Sequence, residues 1–205
     1  MISIVDYGVG NVQALLNIYN RIGIKAQRAS NTTNLNKSSH LILPGVGHFD
    51  HAIKKLNDSG LRDCLEDLVI NFKVPLLGIC VGMQVLANNS EEGSLPGLGW
   101  ISGNVRAFSN HPKCNKLPLP HMGWNTLKIK KSTILSLEDN DQSPEFYFLH
   151  SYYFDTEVKS YVSGTSSFGF NFDAAVSYKN VHGVQFHPEK SHSWGEKLLK
   201  NFATI

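Results

Sequence analysis

Only three cysteines occur in this 205-residue sequence: Cys64, Cys80 and Cys114. They are too few and too odd in number for a disulfide framework, so the expectation is a reduced, cytoplasmic setting. Charge of one sign is equally scarce. Nineteen Lys and Arg face seventeen Asp and Glu, a formal net charge of +2, which gives no reason to expect nucleic acid or an anionic membrane as partner. The longest apolar run, Val74 to Ala87, is interrupted by Gly78, Gly82 and Gln84. It falls short of the ~20 apolar residues that a membrane span needs. Met1 leads straight into the strand-like "ISIVD", with neither a basic leader region nor a small-residue cleavage site, so no secretory signal is expected. Internal repeats and low-complexity linkers are missing too. What is present is 41% hydrophobic and 18% charged, the balance of an ordinary globular core, and the length suits one α/β domain spanning 1–205.

The first half alternates short apolar runs with helical periods. "ISIVD" reads as a buried strand ending at Gly8-Val9-Gly10, and Asn11 is placed to cap a helix whose apolar face holds Val12, Leu15, Leu16 and Tyr19. "IKAQRA" is a weaker strand. "HLILPGVG" is another, stopped by Pro44 and Gly45, and Phe49 to Phe72 reads as mostly helical with a break near Gly60. "VPLLGI" is the next strand and Gly82 to Asn88 the next helix. Strands separated by helices imply a mostly parallel sheet with helices on both faces. After Gly97 the texture turns β-rich: "WISGNVRAF", "WNTLKIK", "FYFLHSYYF", "YVSGTSSF", "DAAVSYK" and "VHGVQFH" are short aromatic or β-branched runs. A last helix spans Glu196 to Ala203.

Three stretches carry chemistry. Gly78-Ile79-Cys80-Val81-Gly82 has the G-x-C-x-G layout of a nucleophile elbow between strand and helix. The glycines allow neighbouring backbone to approach a strained residue, and the thiol projects from the carboxyl edge of the sheet, where open α/β folds bind ligands. A helix N-terminus there favours thiolate over the ordinary thiol pKa of about 8.5. The Val81 N–H points where an oxyanion would form. Taken alone, the five residues fit a core cysteine among packing glycines equally well. In "GVQFHPEKS", a strand-like run ends at His187 and Pro188, and Glu189 is close enough to orient the imidazole. A cysteine nucleophile needs a base, and the base an orienting acid; Cys80, His187 and Glu189 supply the set. In "LPGVGHF", Pro44-Gly45-Val46-Gly47 offers nearly unobstructed backbone amides suited to a second oxyanion donor, worth ~3 kcal/mol in a barrier.

Together "PGVGHF", "LLGICVGMQVL", "LPHMGWN", "FYFLHSYYF" and "GVQFHPEKS" resemble the class I glutamine amidotransferases over essentially the whole chain and in the family's order. Within that family the resemblance is to the glutaminase subunits of bacterial imidazole glycerol phosphate synthase. It implies a flavodoxin-like fold and hydrolysis of glutamine to glutamate and ammonia, with Cys80 attacking the amide, His187 moving protons and Glu189 holding its tautomer. Val46 and Gly47 would lie on the oxyanion strand, and Gly47, Gln84, Ser151 and Tyr152 would bind glutamine or shape its pocket. It further implies a heterodimer with a cyclase of β/α-barrel fold, which takes the ammonia in histidine biosynthesis. Partner contacts map to Asn11, His121, Met122, Trp124 and Lys190. No cofactor and no metal are expected.

The sequence departs from the family in "VSGTSSFG", at Gly164 and Phe168, where a tyrosine hydroxyl is missing. The tail "EKSHSWGEKLL" is similar to paralogues that supply ammonia for amidino-sugar synthesis in surface polysaccharide, which is the alternative for the acceptor. A cysteine peptidase-like hydrolase is the alternative chemistry. Gly8-x-Gly10 lacks the third glycine of a dinucleotide fingerprint, since position 13 is Gln. His111-x-x-Cys114 has no second pair and reads as a polar loop. Lys128, Lys130 and Lys131 read as one solvated strand face, and Cys64 as core.

Overall fold

In a computed structural model, the described residues are 1–130, 134–136 and 143–205. Lys131 therefore lies outside them. The strands of the first half are β1 (Ile2–Val5), β2 (Ala26–Ala29), β3 (His40–Gly45) and β4 (Leu76–Cys80). Those of the second half are β5 (Asn89–Ser90), β6 (Gly103–Ala107), β7 (His121–Thr126), β8 (Lys128–Ile129), β9 (Glu145–His150), β10 (Tyr152–Thr156), β11 (Val162–Phe168), β12 (Phe170–Tyr178) and β13 (Val181–Val184). The helices are α1 (Val12–Arg21), α2 (Thr32–Leu35), α3 (Phe49–Asp58), α4 (Arg62–Glu66), α5 (Val81–Gln84) and α6 (His192–Phe202).

The main sheet runs β2-β1-β3-β4-β13-β12-β10-β6-β5, with β11 and β8 attached beside β12. Its first five strands are mutually parallel and follow the flavodoxin-like order, the β-strand arrangement whose ligands lie beyond the carboxyl ends. The inner parallel strands β1, β3 and β4 are buried on both faces, with Ile4, Leu41, Ile42, Leu43, Leu76 and Leu77 fully inaccessible, as continuous apolar runs require; the edge strand β2 is only partly buried. From β12 onward most pairings are antiparallel. The sheet thus changes texture at β13, which pairs parallel with β4 on one side and antiparallel with β12 on the other. β7 and β9 form a separate two-stranded ribbon.

Local chemistry explains the boundaries. Asn11 caps α1 by accepting from Ala14 N–H at 3.1 Å, which satisfies one orphan donor of the first turn. Gly60, at φ +71°, ends the helical stretch after α3, and α4 then loosens into a π-helical turn over Asp67–Asn71. Three expectations need correction. Pro44 does not stop β3; it pairs opposite Ile79. The β1 ladder already ends at Ile42, so the missing proline N–H deprives no β1 partner. The helix after Cys80 is not Gly82 to Asn88 but one turn, Val81–Gln84, because the chain bends to form β5 at Asn89. The last helix begins at His192 rather than Glu196.

The three cysteines are free. Cys114 is buried with its thiol 3.2 Å from Phe168 O, while Cys64 is only half-buried, against Asn36. His111 stacks on Phe170 and accepts from Lys113 N–H, a structural role. No helix among the described residues is long and apolar enough to cross a membrane.

Candidate active site

Strand β4 ends in the one strained residue of the site. Cys80 has φ +56° and ψ −115°, a backbone region that a side chain ordinarily avoids and that functional sites tolerate. The surrounding glycines make room for it. A Cβ on Gly82 would overlap the Leu43 carbonyl, and one on Gly78 would collide with Gly82 backbone. Neither glycine carries a positive φ itself. Their role is close approach, and the strain sits on the cysteine. The thiol is buried, at 4% exposure. A single turn such as α5 carries only part of a helix dipole, so the elbow offers less of that field than a longer helix would.

Beyond β13, the backbone of His187 is strapped to β9. Its N–H donates to Tyr147 O at 2.9 Å, and its carbonyl accepts from the Ser191 hydroxyl at 2.6 Å. Ser191 Oγ in turn accepts from Tyr147 N–H at 3.0 Å. This closed loop fixes where the imidazole starts. Nδ1 then lies 2.7 Å from Glu189 Oε1, and both side chains are about 95% buried, at 5% and 6% exposure. The second carboxylate oxygen, Oε2, is buried without a partner among the described residues, so His187 is the group that answers this charge. Burial alone would make His187 less basic. Hydrogen bonds to Cys80 and Glu189, and their charges, outweigh it and raise its pKa above the ordinary value. Because Nδ1 faces the carboxylate, Nε2 is the nitrogen left for the thiol.

Cys80 and His187 open into a cleft of about 370 Å³ that is also lined by Val46, Gly47, Val81, Gln84, Glu92, Pro120, Leu149, His150, Ser151, Tyr152 and Lys190. All six residues marked from sequence as pocket or oxyanion positions therefore converge. Gly47 turns at φ +83°, and Val46 beside it is 44% exposed. Gln84 is buried, and its amide is already engaged. Nε2 donates to Gln185 Oε1 at 3.0 Å and to Tyr152 O at 3.3 Å. Gln185 completes a link to the elbow, with its own Nε2 3.8 Å from Cys80 Sγ.

The residues marked for partner contact divide. Met122 and Trp124 face outward, at 64% and 47% exposure, with the Trp124 ring stacked on His192. Asn11 and Lys190 are exposed, and Lys190 lies over the Tyr147 ring. His121 is different. It is 6% exposed, turned inward between Phe148 and Phe168. β7 alternates, so the residue before an outward Met122 must point in. Sequence reading passed over Glu92, Leu149, His150 and Gln185. Glu92 and Gln185 carried a legible signal, a polar residue inside "SEEGS" and one in the penultimate position before the base; His150 read only as part of an aromatic strand.

A class I glutamine amidotransferase family model matches residues 3–205. The chain belongs to the class I glutamine amidotransferases. Among curated relatives, the Bdellovibrio bacteriovorus imidazole glycerol phosphate synthase subunit HisH is 51% identical, with all of both chains covered. The Leptospira borgpetersenii protein of that name is 46% identical over all of both chains, and Methanococcus maripaludis subunit HisH 2 is 45% identical over 98% of each. A solved glutamine amidotransferase superposes with a TM-score of 0.75 at 20% identity, covering 99% of this chain and 97% of that one. The PurLQS structure from Thermotoga maritima gives 0.75 at 16%, with the same coverage. At those identities the solved structures speak for the fold alone. The amidotransferase is an enzyme of this family, and the three HisH relatives are each called a subunit of imidazole glycerol phosphate synthase.

Proposed function

We propose that this amidotransferase is the glutaminase subunit of an imidazole glycerol phosphate synthase. It would work in the cytoplasm as a heterodimer with a cyclase of β/α-barrel fold. The observation that carries the chemistry is Cys80 and His187 meeting in one buried cleft, with Glu189 on the far nitrogen of the imidazole. Full-length relatives named as subunits of that synthase support the acceptor.

Cys80 attacks the side-chain amide carbon of glutamine as the thiolate, with the proton of the pair held on His187. The tetrahedral oxyanion is met by backbone amides at Val81 and on the Val46-Gly47 segment. Collapse breaks the carbon–nitrogen bond; the proton on His187 goes to the departing nitrogen, which leaves as ammonia. Water then attacks the γ-glutamyl thioester, His187 takes its proton, and glutamate leaves as the carbon–sulfur bond breaks. Glu189 keeps Nε2 facing the reaction and balances the imidazolium. The cleft presents both signs that an amino acid zwitterion needs, through the carboxylate of Glu92 and the ammonium of Lys190. Ser151 and Tyr152 form its wall, and Met122 and Trp124 carry the cyclase contact.

The test uses the chain with its synthase partner, comparing glutamine with ammonium as nitrogen source. Cys80→Ser should abolish glutamine-dependent synthesis and spare ammonium-dependent synthesis; loss of both sinks the transfer account. Turnover of a peptide by the chain alone would favour the peptidase reading. Supply of ammonia to an amidino-sugar synthase, with no supply to the cyclase, would overturn the acceptor.

A further inference from the structure

His121 and His150 are two buried titratable groups that the glutaminase mechanism leaves unused. They sit end to end. Asn125 Nδ2 lies 2.8 Å from Ser167 O and 3.1 Å from His121 Nε2. His121 Nδ1 lies 2.9 Å from His150 Nε2, and His150 Nδ1 lies 2.7 Å from Tyr152 O. The chain starts on the ribbon strand β7 and ends in the wall of the cleft.

The direction of every bond follows from its two ends. Ser167 O is a carbonyl and only accepts, so Asn125 presents its NH₂ there, and the same NH₂ donates to His121 Nε2. Asn125 Oδ1 accepts from Thr126 N–H at 2.8 Å, which fixes the amide the same way. At the other end, Tyr152 O also only accepts, so His150 carries its hydrogen on Nδ1. Its Nε2 then accepts from His121 Nδ1. Each ring has one tautomer and one charge state that satisfy all its neighbours. An extra proton on either ring would set two N–H groups against each other at some link. The apolar surroundings agree: burial pushes His121 down to about 4 and His150 down to about 3. Stacking of His121 on Phe148 and Phe168 holds the first ring in line.

We propose that Asn125, His121 and His150 are positioning residues that, through one directed hydrogen-bond chain, set the Ser151–Tyr152 wall of the glutamine pocket. Tyr152 O is shared by His150 Nδ1–H and Gln84 Nε2–H, so the carbonyl is held from the ribbon side and from the elbow side. Losing the ribbon-side donor loosens the Tyr152–Tyr153 peptide, one residue beyond Ser151. The effect falls on glutamine affinity, because Cys80, His187 and Glu189 keep their own partners. This inference rests on the glutaminase reading and adds a second layer to its binding site.

Two measurements decide it. On the unaltered full chain, long-range ¹⁵N–¹H correlation of the histidine rings should show Nδ1–H tautomers for both His121 and His150. Neither ring should titrate between about pH 5.5 and 8, since both pKa values lie well below. An Nε2–H tautomer at either ring overturns the proposal. In the complex with the synthase partner, His121→Leu removes the middle ring of the chain and leaves Cys80, His187 and Glu189 their own partners. It should raise the glutamine KM by about tenfold, the scale of one displaced hydrogen bond, with kcat within about threefold. His121→Asn, whose NH₂ stands near the lost Nδ1–H, should recover most of the affinity. An unchanged KM in His121→Leu, or His121→Asn no better than His121→Leu, overturns it. Absence of glutaminase activity from the unaltered complex would refute the functional reading and leave the tautomer result standing.

Discussion

His187 and His150 line the same cleft, are buried to a similar degree, and are pushed in opposite directions. Burial lowers both. His187 ends up raised because it meets a carboxylate and a thiol; His150 meets a backbone carbonyl and a neutral imidazole, and stays low. Desolvation sets a penalty on charge, and only an anion at hydrogen-bond distance reverses it. The lesson is that burial does not assign a histidine its role; the partner on each ring nitrogen does. His187, at one end of the cleft, is held toward its protonated form, and His150, at the other, toward its neutral form.

The hardest way to break this contrast is at the charged histidine. His187→Asn should cost at least about 10⁴-fold in glutamine-dependent turnover, measured with the partner present, while ammonium-dependent synthesis persists. Glu189→Gln should cost about 10²- to 10⁴-fold, because the imidazolium loses its carboxylate and the tautomer is no longer imposed. A turnover near that of the unaltered chain would show that Glu189 is only a buried neighbour.

A smaller effect sharpens the neutral side. His121, His150 and His182 all sit below the ordinary histidine value, with His182 at about 4. The unfolded chain therefore binds more protons than the folded one as pH falls from about 6.5 toward 4, and stability drops over that window. Each such group steepens the fall by up to about 1.4 kcal/mol per pH unit. His187 has the opposite sign, so its contribution is complete below about pH 6.5 and fades only as pH rises through its raised pKa. Urea midpoints at pH 7, 6 and 5 should decline; a flat series would mean that the buried rings charge freely. The smallest expected effect is at Phe168, where the resemblance implies a tyrosine as the more usual residue. Phe168→Tyr adds a hydroxyl to a half-buried ring already stacked on His121. Stability should move by less than about 1 kcal/mol in thermal melts, and glutamine KM by less than about twofold.

The inner parallel strands were readable because they are short runs of buried residues punctuated by Pro and Gly, so period and turn chemistry point the same way, while the half-exposed edge strand β2 read only weakly. The antiparallel half was readable as strands but not as a pairing. "FYFLHSYYF" is continuous in composition, yet the chain leaves β9 at His150 and enters β10 at Tyr152, placing the two pieces in different sheets. No local propensity marks that break. It comes from Ser151 being turned into the cleft between two sheets.

For the site, residue type and spacing determined the elbow at Cys80 and the pairing of His187 with Glu189, since both are contacts within a few residues of a strand end. Tertiary structure alone decided that the two meet, by laying β13 beside β4 with Val184 opposite Ile79. It also decided that His121 turns inward while Met122 and Trp124 face out. A single residue's shift in strand register would exchange those faces, and register is set by packing on the ribbon rather than by any residue's own preference.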